Sequence, residues 1–237
     1  MAFDFDRDMA FASNTFYGAL RRDCGEAWEA YTDHSFVRQL AAGTLPKDEF
    51  LAWMVQDYLY LVHYARAYAL LVYKSNTLEE MRSAAEIVFG LLNNEMSLHR
   101  RELTEAGLSE ADIDGTPETL ETLAYSRYLL DRGVAGDVLD LMVTLSACLA
   151  GYGEIGRRIV ADPATKLDGN PYRAWIETYA GEEYGALVRE GLERLDNASR
   201  QYGGEARYPR LLEQFRQAVR LEAEFWNAGR SSLAAKA

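Results

Sequence analysis

The 237-residue chain carries 25 basic against 37 acidic side chains, a formal charge of −12. That balance disfavours nucleic acid and anionic membrane surfaces, since both call for a basic patch. The start MAFDFDRDMA lacks a secretory pattern, no stretch reaches ~18 uninterrupted apolar residues, and two cysteines form neither a metal motif nor a disulfide framework. The expectation is a cytoplasmic protein whose residues 1–237 form a single helical domain.

In chain order, the spacing predicts a first helix over about Phe5 to Tyr31. A second opens with Pro46, Asp48 and Glu49 in its first turn and runs to about Lys74. Thr77 and Glu80 form a capping box for a third, which ends before Gly107. One short turn is expected over Ser109 to Asp112. Thr116 and Pro117 start a fourth helix, stopped near Gly133. A central helix follows from Val138. Asn170 and Pro171 open a sixth segment, broken at Gly181 and resumed to about Tyr202, and the last helix runs from about Pro209 to Gly229. The tail SSLAAKA is expected to fray. With no hairpin signal and no repeat, the fold class is an all-α bundle of about seven helices.

The central helix organises the rest. Val138, Leu141, Leu145, Cys148 and Tyr152 fall on one helical stripe, so a thiol and a phenol lie on its core side. A lone cysteine on such a stripe is ordinarily a small hydrophobe. The same stretch spells Gly151-Tyr-Gly153-Glu-Ile-Gly156, but a dinucleotide fingerprint needs a strand before it and a βαβ frame. Here the period is helical throughout, and the glycines are expected to admit a close neighbour.

Two carboxylates stand where apolar residues belong. Asp57 shares a helical face with Tyr60, Tyr64 and Tyr68 inside the apolar run 50–68. Glu222 completes the stripe Leu211, Phe215, Val219 and Trp226, with Phe225 beside it. A buried carboxylate needs a partner and tends to hold its proton, which suits a general acid. Either residue could equally serve a structural ion pair or a stripe edge. Tyr125 and Tyr179 complete the aromatic set. Glu95 and His99 stand four apart, whereas helical di-iron sites use a spacing of three, and no histidine follows His99. No metal or other cofactor is expected.

The separated motifs GTLPKDEFLAWMVQDYLYLVHYARAY, NNEMSLHRREL, SACLAGYGEIG, WIETYAGEEY and EAEFWNAG occur in this order. Together they resemble the TenA family of thiaminase II enzymes, the aminopyrimidine aminohydrolases, over nearly the whole chain. The resemblance implies a haem-oxygenase-like all-α fold assembled as a homotetramer. It also implies that Cys148, the mark of the cysteine-containing branch, is the nucleophile and Glu222 the proton donor. Tyr60 and Tyr125 would help activate the cysteine. Asp57, Tyr152 and Tyr179 would bind a pyrimidine, and Phe225 would line its pocket. The implied partner is a small-molecule pyrimidine, thiamin or its degradation products, with neither nucleic acid nor membrane. Two other readings stay open: a haem-oxygenase-like di-iron or cofactor-free oxidase, and a non-enzymatic regulatory protein.

Overall fold

Side-chain caps set many of the helix boundaries. The computed structural model describes residues 3–235, and among these every regular element is a helix. The chain divides into two compact units, one of residues 3–45 and 142–223, the other of 46–141 and 224–235.

The first unit opens with α1 (Phe5–Asp8), α2 (Ala10–Ser13), α3 (Phe16–Cys24), α4 (Glu26–Thr32) and α5 (Ser35–Ala42). The single helix predicted over 5–31 is thus broken. Asp4 caps α1 and Thr15 caps α3 through the Gly18 N–H, while Gly25 turns the chain at φ 58°. Gly43, at φ 69°, closes α5, and Asn170 Nδ2 pins that end by donating to the Leu40 and Ala41 carbonyls at 3.0 and 3.1 Å.

The second unit begins with α6 (Lys47–Lys74), α7 (Leu78–Gly90), a π-helical turn (Leu91–Glu95), α8 (Met96–Glu105), α9 (Glu110–Gly115) and α10 (Leu120–Ala135). The capping box predicted at Thr77 and Glu80 is present, and Ser109 with Asp112 makes a second for α9. The π turn interrupts the third predicted helix, a departure that periodicity does not reveal. The fourth predicted helix starts late. Buried Gln56 donates to the Pro117 carbonyl at 3.0 Å and accepts from Thr119 N at 3.0 Å and Thr122 Oγ1 at 2.7 Å. Those bonds draw the 117–119 segment onto α6, and Thr119 becomes the cap.

Next come α11 (Val138–Ala161), α12 (Arg173–Ala180), α13 (Glu182–Gln201), α14 (Gly204–Phe225) and α15 (Ala228–Ala234). The break at Gly181 falls as predicted. Pro209 sits inside the second turn of α14 rather than opening it. Most of the predicted frayed tail is helical instead: Ser232 is buried, and a side chain at Gly229 would strike the Glu49 carbonyl and Trp53. Helix α11 is long and apolar enough to cross a membrane, with mean hydropathy 1.4, yet 83% of its most apolar window is buried in the protein. It is a core helix.

Candidate active site

In the first unit the glycines of α11 make close approaches possible. A Cβ at Gly151 would collide with the Tyr31 ring. One at Gly156 would lie 2.5 Å from both Ala180 N and Tyr179 C. The backbone of α12 therefore rests directly on α11, which fixes Tyr179 beside it. The expected close neighbours are found, and no strand flanks the glycines among the described residues.

Tyr152, one turn past Cys148, lies with its ring centroid 5.0 Å from Tyr179 and 6.0 Å from Trp175. Both tyrosines are buried, whereas Cys148 is half-buried. Gln214 Nε2 donates to Thr144 Oγ1 at 2.7 Å and ties α14 to α11 one turn before the cysteine. On α14, Glu222 is 1% exposed, on the same stripe as buried Phe215 and Val219. A carboxyl is indeed held on this core face.

Glu154, which the sequence presents only as a member of the glycine motif, is fully buried in the same unit. It accepts from Arg21 at 2.6 Å, Arg158 at 2.8 Å and Trp28 Nε1 at 3.0 Å. Arg158 in turn reaches Glu29 at 2.9 Å. Burial tends to lower the Arg158 pKa, but the two carboxylates raise it overall. Two cations against two anions make this a structural network, and none of its partners lies near Glu154 in sequence except Arg158. Cys24, also buried, has its thiol pushed up to about 11 by desolvation, so it is a poor nucleophile.

In the second unit, Gln56 anchors the start of α10 to α6, and one turn further along each helix the rings meet. Tyr60 stacks on Tyr125 with centroids 4.9 Å apart and planes 17° apart. Phe225 closes this cluster at 5.3 Å from Tyr60 and 6.3 Å from Tyr125. The stripe continues through Tyr64 and Tyr68, each ring 5.5 Å or less from the one before. Asp57 is 4% exposed, and its partner is His99: Nε2 lies 3.0 Å from Asp57 Oδ2. Burial alone would lower the His99 pKa, but the hydrogen bond and charge of Asp57, aided by Glu95, raise it to about 9. Glu95, at the end of the π turn, is pushed up to about 7 by desolvation. Sequence reasoning weighed Glu95 and His99 only as metal ligands and missed this pairing, which joins residues 42 apart.

Each unit thus gathers part of the predicted set. Cys148, Tyr152, Tyr179 and Glu222 fall in the first, and Asp57, Tyr60, Tyr125 and Phe225 in the second. Helical throughout, with buried carboxylates on apolar helix faces, the protein has the haem-oxygenase-like architecture: a Shewanella denitrificans domain described by that fold superposes with TM-score 0.71 over 92% of this chain and 94% of its own, at 15% identity. The TENA/THI-4/PQQC family model matches residues 21–232, and the chain belongs to that family. It is 33% identical to an aminopyrimidine aminohydrolase of Halalkalibacterium halodurans, across 90% of this chain and 94% of that protein. A solved structure described as a TenA family transcription regulator, from Silicibacter sp. TM1040, is 40% identical and superposes with TM-score 0.86 over 93% of this chain and 99% of its own.

Proposed function

We propose that the protein is an aminopyrimidine aminohydrolase of thiamin salvage, with Cys148 as a covalent nucleophile. The observation that carries this reading is the pair of buried carboxylates, Asp57 and Glu222, each on an otherwise apolar helix face. The similarity to the Halalkalibacterium enzyme along nearly its full length supports the substrate class.

Asp57, an acceptor, takes the exocyclic amine of the pyrimidine and orients the ring. Tyr152, Tyr179 and Phe225 provide flat apolar walls for it. The Cys148 thiolate forms a C–S bond to a ring carbon while Glu222 delivers a proton to a ring nitrogen, so the ring loses its aromaticity. Electrons returned from the ring expel the group on the exocyclic methylene, ammonia from the aminomethyl substrate or the thiazole from thiamin. Water adds to the methylene, and the proton it gives up leaves with the ammonia or, when the neutral thiazole is the leaving group, passes to solvent. The C–S bond then breaks, Glu222 recovers its proton, and hydroxymethylpyrimidine is released. Tyr60 and Tyr125 assist by holding the thiol in its reactive form. A homotetramer is part of the same reading, and light scattering tests it.

A regulatory role, the wording attached to the Silicibacter protein, would need a face for nucleic acid that a charge of −12 does not favour. Incubation with 4-amino-5-aminomethyl-2-methylpyrimidine and, separately, with thiamin tests the proposal. Release of the hydroxymethyl product from either supports it. Absence of product from both, with the purified protein folded, rejects it.

A further inference from the structure

Asp57 and His99 share a hydrogen bond between α6 and α8, and the other ring nitrogen is also engaged. His99 Nδ1 lies 3.0 Å from the Glu95 carbonyl oxygen, and Nε2 lies 3.0 Å from Asp57 Oδ2. A carbonyl oxygen and a carboxylate oxygen both accept, so a ring that satisfies both carries a hydrogen on each nitrogen. That ring is an imidazolium. The groups facing it are Asp57 from α6 and Glu95 from the π turn. Arg100, the next cation on α8, is engaged elsewhere, by Tyr58 at 2.6 Å and Asp114 at 2.7 Å.

The consequence falls on the second oxygen of Asp57. Among the described residues His99 is the one hydrogen-bond donor to this carboxylate, and Oδ1 receives none, although Asp57 is 4% exposed. An acceptor oxygen that no protein group engages is open to a donor that a ligand supplies. We propose that His99 is a positioning residue: by binding Oδ2 it fixes the Asp57 carboxylate and leaves Oδ1 as the acceptor for the amine of an aminopyrimidine. The π turn serves this arrangement, because it ends at Glu95, whose carbonyl orients the ring from behind. The inference rests on the aminopyrimidine reading above and deepens it. It adds a determinant of amine recognition that never touches the substrate.

A double-mutant cycle tests it, with calorimetric titration of 4-amino-5-hydroxymethyl-2-methylpyrimidine and steady-state kinetics on the aminomethyl substrate. Asp57→Asn, His99→Leu, His99→Gln and the Asp57→Asn/His99→Leu double variant are compared. His99→Leu is expected to weaken binding by about 10- to 100-fold, the range typical for loss of such an orienting partner. KM should rise with a smaller change in kcat. His99→Gln, which keeps an N–H donor, should recover most of the loss, and adding His99→Leu to Asp57→Asn should change little further. Wild-type affinity in both His99 variants, or fully additive losses in the cycle, would overturn the positioning role while leaving the aminopyrimidine reading intact. Wild-type affinity in Asp57→Asn would instead overturn the reading on which the role rests. Should His99→Leu fail to fold, His99→Met, which also lacks a donor to Asp57, takes its place in the cycle: a loss smaller than twofold there, with Asp57→Asn impaired, rejects the role.

Discussion

Two glycines should respond to alanine with opposite signs, and the structure says why. At Gly156 an added Cβ would sit 2.5 Å from Ala180 N and Tyr179 C and 2.8 Å from the Tyr179 carbonyl oxygen. Ordinary contact between such atoms is about 3.5–4.0 Å, so the backbone of α12 must retreat by about 1 Å. Overpacking of that kind costs about 1–3 kcal/mol, more where backbone must move, against about 1 kcal/mol gained in helix propensity. The net expectation for Gly156→Ala is a loss of about 1–2 kcal/mol. That lowers Tm by about 2–8 °C in a chain of this size. Tyr179 moves with the displaced backbone, so affinity for the hydroxymethylpyrimidine should fall as well. Gly90 is the control: it is helical, at φ −60°, and nothing lies within 4 Å of its added Cβ. Gly90→Ala should therefore raise stability by about 0.5–1 kcal/mol. Paired thermal and urea melts measure both. A Gly156→Ala protein as stable as wild type would refute the claim that α12 is seated directly on α11.

Glu154→Gln removes the anion from between Arg21 and Arg158, and leaving partly buried Arg21 without its carboxylate and Arg158 with Glu29 alone should cost about 3 kcal/mol in a urea melt. The His99 pKa is raised in the folded protein, so its contribution is whole below about pH 6.5 and is lost as pH rises through about 9. Wild-type stability should fall across that window by about 3 kcal/mol, at 1.36 kcal/mol per unit, with His99→Gln nearly flat. Glu95, raised to about 7, acts with the same sign at lower pH, so melts above pH 7 isolate the histidine. Glu222→Gln keeps shape and polarity but cannot pass a proton; turnover should fall about 10²- to 10⁴-fold with product affinity retained. Near-normal turnover in that variant would make Glu222 a spectator.

Much of the fold was legible because helices announce their ends locally. Thr77 with Glu80, the break at Gly181 and the acidic first turn of α6 stand as the sequence predicts. The discrepancies arise where distant groups decide. The late start of α10 depends on Gln56, more than sixty residues from Thr119. The π turn before α8 has no periodic signature of its own. At the candidate site, Asp57 and Glu222 stood out because a charge on an apolar stripe conflicts with simple burial. Their surroundings did not stand out. The Asp57–His99 pair and the Glu154 network join residues 42 and 133 positions apart, and a sequence exposes such partners only after the chain is folded.

Covalent catalysis by Cys148 is the central claim, and a single comparison addresses it most directly. Wild type, Cys148→Ser and Cys24→Ser are incubated with 4-amino-5-aminomethyl-2-methylpyrimidine, and the hydroxymethyl product and ammonia are quantified alongside product affinity. Serine is a far weaker nucleophile at neutral pH, so Cys148→Ser should bind the pyrimidine normally and turn over at background. Cys24→Ser should match wild type, since the Cys24 thiol is buried and held protonated. Sustained turnover by Cys148→Ser would contradict the account.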